Sequence, residues 1–154
     1  MRVAFDSNIL LYLALVSRVA EDQRKIAQIE NLLIELPDTV IRVVPYQVLG
    51  ECQHVMTRYG YSREKCRTIL FDWMNNFETF ASSEAAFMAA IDLATDHKLQ
   101  FWDALIINVA AEAGCTLLLS EDLQPGFAWR GLTIVNPFAE TLDERLVRIL
   151  NTPL

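Results

Sequence analysis

No apolar run in this sequence is long enough to cross a bilayer. The longest, Ile9 to Val16, has eight residues, against the roughly 18 or more that a spanning helix needs. No charged leader with a cleavage site precedes it, so the expectation is a cytoplasmic protein with no membrane contact. Glycine and proline number five each, too few for collagen-like or low-complexity chains. The three cysteines, Cys52, Cys66 and Cys115, are odd in number and form no C-x-x-C pair. That argues against a disulfide framework or a thiolate zinc site and leaves them as reduced, buried fillers. His54 and His97 are the only histidines, neither at metal-ligand or nucleophile–base spacing, and both read as structural. There is no G-x-G-x-x-G and no G-x-x-x-x-G-K-[ST], so a phosphate-cradling nucleotide fold has no support. Positive charge is also short. Thirteen Lys and Arg face twenty Asp and Glu, a net charge of −7, which disfavours nucleic-acid binding by bulk electrostatics.

What is present is a chain of 154 residues, 53% of them hydrophobic, the size and make-up of one globular domain over residues 1–154. Its charge is uneven. Through Arg67 there are 9 basic and 8 acidic residues, and from Thr68 onward 4 basic and 12 acidic. The densest basic stretch, Arg58, Arg63, Lys65 and Arg67, is a candidate phosphate contact, although such runs are more often a solvated helix face.

Strand and helix patterns alternate. Val3-Ala4-Phe5 reads as a strand that stops at Asp6-Ser7-Asn8 and feeds a helix over Ile9 to Val16. Ile26, Ile29, Leu33 and Leu36 recur at helical spacing between Glu21 and Leu36. Val40 to Val44 predicts a second strand, Pro45 a helix start near 46, and Gly60 a break before a helix capped by Ser62. Phe77 to Phe80 is a weak third strand, followed by a helix from Ser82-Ser83 to about Lys98. Another helix runs from near Asp103 to Gly114, and the aromatics Trp73, Phe77, Phe80 and Phe87 read as core. Thr116 to Leu119 and Leu132 to Val135 complete five strands, and 140–150 reads as a last helix. The expected fold is α/β, a mainly parallel five-stranded sheet flanked by helices.

In such sheets ligands bind beyond the carboxyl ends of the strands, which singles out four acids. Asp6 follows the first strand, and Asp122 lies in the turn Ser120-Glu121-Asp122 after the Leu-rich strand. Asp103 opens a helix, and Glu51 lies about two turns into the helix after the second strand. Gaps of 45, 52 and 19 residues separate them in sequence, so only tertiary structure can gather them. Taken singly, Asp6 or Ser7 reads as a helix cap, Asp103 as a complement to a helix start and Asp122 as an Asx turn. Glu51 has less of a structural excuse beside Val48, Leu49, Cys52 and Val55. Together, four carboxylates suit a hard divalent cation such as Mg²⁺ or Mn²⁺, which orients water toward a phosphodiester.

Four segments in this order resemble the PIN-domain nucleases, particularly the VapC-type toxins of toxin–antitoxin pairs. They are Val3-Ala4-Phe5-Asp6-Ser7-Asn8-Ile9-Leu10, Val48-Leu49-Gly50-Glu51, Phe101-Trp102-Asp103-Ala104-Leu105-Ile106 and Leu117-Leu118-Leu119-Ser120-Glu121-Asp122-Leu123. The resemblance implies a Mg²⁺- or Mn²⁺-dependent endoribonuclease with Asp6, Glu51, Asp103 and Asp122 as the acidic quartet and Asn8 and Ser120 assisting. At the last position Asp122 is preferred to Glu121, because the family's acid stands two residues after a Ser or Thr. The resemblance also implies an RNA substrate, a homodimer and a small antitoxin whose tail covers the site. A haloacid-dehalogenase-type phosphatase would need an acid two residues after Asp6, where Asn8 stands. A PIN fold kept only for protein interaction would have lost acids, and all four are present.

Overall fold

The structure, a computed structural model, describes residues 1–14 and 22–151. Leu15 and Val16, at the end of the first apolar run, and Glu21, at the expected start of the second helix, lie outside the described residues. The elements follow as β1 (Arg2–Phe5), α1 (Ser7–Leu13), α2 (Asp22–Glu35), β2 (Ile41–Pro45), α3 (Tyr46–Arg58), α4 (Arg63–Asn76), β3 (Glu78–Phe80), α5 (Glu84–His97), α6 (Phe101–Glu112), β4 (Leu117–Leu119), β5 (Ala128–Trp129), β6 (Leu132–Val135) and α7 (Glu144–Leu150). Ser62 caps α4 as expected, its Oγ accepting the Lys65 N–H at 3.1 Å. Gly114, at φ 73°, follows the end of α6.

The sheet has six strands in the order β3-β2-β1-β4-β6-β5, not the expected five. All pairings are parallel except β5 with β6. The additional strand is two residues long, too short for any alternation to show. It returns into β6 through Arg130-Gly131, both at positive φ (48° and 86°), as in the tight hairpin turns that Asn-Gly usually announces. The Trp129 indole N–H donates to the buried Asn108 of α6 at 3.0 Å and holds the hairpin down. Two helix starts also differ. α6 begins at Phe101, which puts Asp103 inside its first turn, and α7 begins at Glu144, capped by Asp143. Trp73 and Phe77 are core, but Phe87 is 46% exposed.

Val3 to Phe5, Val43 to Pro45 and Leu117 to Leu119 are all buried, as expected of parallel strands covered on both faces. From β1 the chain moves outward to β2 and β3, then crosses back to lay β4 on the other side of β1. Right-handed crossovers put α1 to α4 on one face and α5 and α6 on the other. The packing agrees: α1 meets α2 and α3, α3 meets α4, and α5 meets α6. The reversal between β1 and β4 is a topological switch point, where such sheets open a crevice. No helix among the described residues is long and apolar enough to cross a membrane.

Candidate active site

Asp6 and Ser120 end neighbouring strands at that crevice. The Asp6 backbone N–H extends the ladder to Leu119 O at 3.0 Å, and the Ser120 N–H reaches Val135 O at 3.0 Å. Both residues are buried. Ser120 Oγ donates to Asp6 Oδ2 at 2.7 Å and accepts the Leu123 N–H at 3.2 Å, fixing the turn that carries Asp122. Asn8, in the first turn of α1 and also buried, offers its Nδ2 to Asp6 Oδ2 at 3.1 Å and to Asp122 Oδ2 at 3.2 Å. Its Oδ1 accepts the Glu121 N–H at 3.2 Å. A single amide thus spaces two carboxylates from opposite sides of the switch point. Asp6 caps α1 as well, its Oδ1 accepting the Ser7 N–H at 2.7 Å, so the capping reading of Asp6 is met while the same side chain also lies at the crevice.

Glu51 comes from α3 and Asp103 from the first turn of α6, both half-buried. Burial pushes the Asp6, Glu51 and Asp103 carboxyls above their ordinary values. Repulsion adds to burial: Asp122 acts on Asp6, Asp6 and Asp103 on Glu51, and Asp6 and Asp122 on Asp103. Hydrogen bonds from Ser120, Ser7 and Asn8 partly offset this at Asp6, and those from Ser7 and Gln47 at Glu51. Among the described residues no Lys, Arg or His forms an ion pair with any of the four. The structure therefore brings together four acids from four parts of the chain, within electrostatic reach and without a countercharge among the described residues.

A family model described as PIN domain matches residues 3–127. The chain belongs to the PIN domain family. Its fold is similar to that of a toxin–antitoxin complex from Klebsiella pneumoniae, with TM-score 0.63 and 19% identity, covering 88% of this chain and 98% of that one. VapBC2 from Rickettsia felis, bound to a DNA fragment from its promoter, gives TM-score 0.62 and 16% identity over 88% and 98% of the two chains. VapC20 of Mycobacterium tuberculosis, a sarcin–ricin loop cleaving toxin, gives 0.60 and 15% over 75% and 86%. No curated protein matches the sequence.

The two adjacent acids of this PIN domain's last turn have different surroundings. Glu121 turns toward α2, where Lys25 Nζ pairs with its Oε1 and the Tyr12 hydroxyl donates to its Oε2 at 2.7 Å. Burial, then the carboxylate, lifts the Tyr12 phenol to about 12. Asp122 turns toward Asn8. The separation depends on Lys25, 96 residues away in sequence.

Arg58, Arg63, Lys65 and Arg67 are exposed on α3 and α4, and none pairs with the four acids. Arg58 lies seven residues after Glu51 on the same helix face, about 10 Å along the axis. His54 is exposed and His97 packs edge-on against Phe127 and Trp129. All three cysteines are free and buried.

The donors at the rim are therefore carboxylate oxygens, which suit Mg²⁺ or Mn²⁺ better than zinc or copper. Among the described residues no three His, Cys, Asp or Glu side chains close into a ready ligand group. Mg²⁺ commonly takes only one or two carboxylates and completes its shell with water and substrate oxygens, so this open set fits it. The sequence reading missed Gln47, whose Nε2 donates to Glu51 Oε1 at 3.2 Å and to the Trp102 carbonyl at 3.1 Å. Its place four residues before Glu51, on the same helix face, was the available signal.

Proposed function

We propose that this chain is a divalent-cation-dependent endoribonuclease, one nuclease domain over residues 1–154, and the toxin of a toxin–antitoxin pair acting in the cytoplasm. The observation that carries the reading is the convergence of four carboxyls on the switch-point crevice, none of them ion-paired with a basic side chain among the described residues. Asp6, Glu51, Asp103 and Asp122 would hold Mg²⁺ or Mn²⁺. Bound there, the cation lowers the pKa of a water and offsets charge at the leaving oxygen of a phosphodiester. The chain's own work is positioning. Asn8 and Ser120 orient Asp6 and Asp122, and the packing beneath Asp6 excludes water from its inner side. The exposed Arg58, Arg63, Lys65 and Arg67 supply phosphate contacts along α3 and α4, so RNA approaches over the one part of the chain that is not net acidic.

The similar folds in toxin–antitoxin complexes support a small protein partner. A rim of carboxylates calls for an inserted Arg, which can contact carboxylate in bidentate fashion, flanked by apolar anchors. Tyr46, Tyr59 and Phe71 are exposed on α3 and α4 and suit such anchors, whereas Trp73 is committed to the core. We propose a homodimer on the family resemblance.

The test is cleavage of single-stranded or looped RNA by the purified protein with Mg²⁺ or Mn²⁺, stopped by EDTA. Equal cleavage in EDTA overturns the mechanism. Expression alone should arrest growth of the host, and co-expression with a small inhibitory partner should restore it. Absence of both toxicity and a co-purifying partner removes the toxin reading and leaves the nuclease reading standing.

A further inference from the structure

We infer that Gln47 is a positioning residue of the acidic crevice, its side-chain amide tying Glu51 of α3 to the first turn of α6 and so setting the spacing between Glu51 and Asp103. The inference rests on the nuclease reading above and adds a residue to it. Gln47 stands one turn before Glu51, and its two N–H donors go to different elements: Glu51 Oε1 at 3.2 Å and the carbonyl of Trp102, the residue before Asp103, at 3.1 Å. The second contact spans 55 residues of sequence. Glu51 and Asp103 repel one another as carboxylates, and since neither forms an ion pair among the described residues, a neutral donor is what can hold them at a fixed separation.

Stability alone does not account for this arrangement. Gln47 Oε1 is buried without a hydrogen-bond partner among the described residues. A buried unpaired acceptor is a desolvation cost, while replacing a polar group by an apolar one of the same shape is near neutral or stabilising. A methionine would fill the same space without that cost, so the N–H contacts serve the crevice and not the net stability of the fold. Partners that orient metal-ligating groups typically change metal affinity or activity by about 10–100-fold when removed.

The experiment compares wild type with Gln47→Met and Gln47→Ala in three measurements: melting in EDTA, Mn²⁺ affinity by titration calorimetry, and kcat and KM on an RNA oligonucleotide. Gln47→Met should melt at or above wild type, bind Mn²⁺ about 10–100-fold more weakly and lose kcat with little change in KM. Gln47→Ala should show the same Mn²⁺ and kcat losses. Wild-type Mn²⁺ affinity in both variants overturns the inference. So does a Gln47→Met protein that melts far below wild type, since the contact would then be a structural one. If wild type itself binds no Mn²⁺, the nuclease reading falls and this inference with it; if wild type binds and the variants match it, only the inference falls.

Discussion

The two ends of the parallel sheet hold their acids in opposite circumstances. At the amino end, Arg2 Nη2 donates to both carboxylate oxygens of Glu78, at 2.7 and 2.9 Å, across the first residues of β1 and β3. At the same end, near Met1 and Thr116, Arg145 of α7 pairs with its cap Asp143 and Arg148 with Glu144. At the carboxyl end, Asp6, Glu51 and Asp122 accept from Asn8, Ser120 and Gln47, all uncharged, and Asp103 lies within their electrostatic reach. Among the described residues, ion pairs therefore form at the amino end, while none forms with the four acids of the crevice.

The sharpest way to break this comparison is to remove charge at each end in turn. Asp6→Asn and Asp103→Asn should each lower RNA cleavage by about 100-fold or more, the scale of losing one transition-state electrostatic contact, while Glu78→Gln leaves the rate unchanged. Equal losses at both ends, measured as kcat/KM on one oligonucleotide, would show that the acids of the crevice have no special role.

A smaller effect concerns stability. Mn²⁺ at about 100 times its dissociation constant should stabilise the folded chain by about 2.7 kcal/mol, a rise of several degrees in melting temperature for a domain of this size. The shift should shrink in Asp103→Asn and persist in Glu78→Gln. A wild-type melting temperature indifferent to Mn²⁺ and Mg²⁺ would contradict the reading.

How much of this was legible in the sequence varies from residue to residue. Asp6 stood out because an apolar strand stops there and a helix begins, and Asp103 because it falls at a helix start. Both signals are local, and both survived the two-residue shift in the start of α6. Glu121 and Asp122 differ in the fold through Lys25 and Tyr12, which hold Glu121 from elements that neighbour the turn only in three dimensions. Gln47 is an ordinary helix residue until α6 is packed against it. β5 escaped because two residues carry no period and because Arg130 adopts a backbone conformation more typical of Asn or Gly. What a strand end or a helix start dictates can be read from sequence; what a second element supplies cannot.

The pH dependence of metal-free stability sharpens the contrast further. Asp6, Glu51 and Asp103 have folded-state values raised by burial and, secondarily, by neighbouring carboxylates of the crevice, Asp122 included. From about pH 4 up through those raised values the folded state holds more protons than the unfolded one, so stability falls as pH rises. In EDTA the melting temperature should therefore decline over that window. Saturating Mn²⁺, by favouring the ionised carboxylates, should flatten the decline, and Asp103→Asn should lessen it. A metal-free protein that gains stability across the same window would refute the raised values.

The least effect is expected at the amino end. The Arg2 and Glu78 side chains are 27% and 40% exposed, so solvent screens the pair and its loss in Glu78→Gln should cost no more than about 1 kcal/mol. Thermal melts of that variant should show a drop of a few degrees at most, with cleavage intact.

The position of β4 has a consequence for the life of the chain before it is finished. Ser120 reaches Asp6 across 114 residues, and the strand that delivers it and Asp122 is held on its far side by β6, later still in the sequence. At roughly 5–20 residues per second, Asp6 leaves the ribosome on the order of ten seconds before the turn that completes its crevice. Nascent chains therefore carry Asp6, Glu51 and Asp103 with no assembled crevice, and under the proposed nuclease function a ribosome making this protein would meet no working site until the last strands are in place.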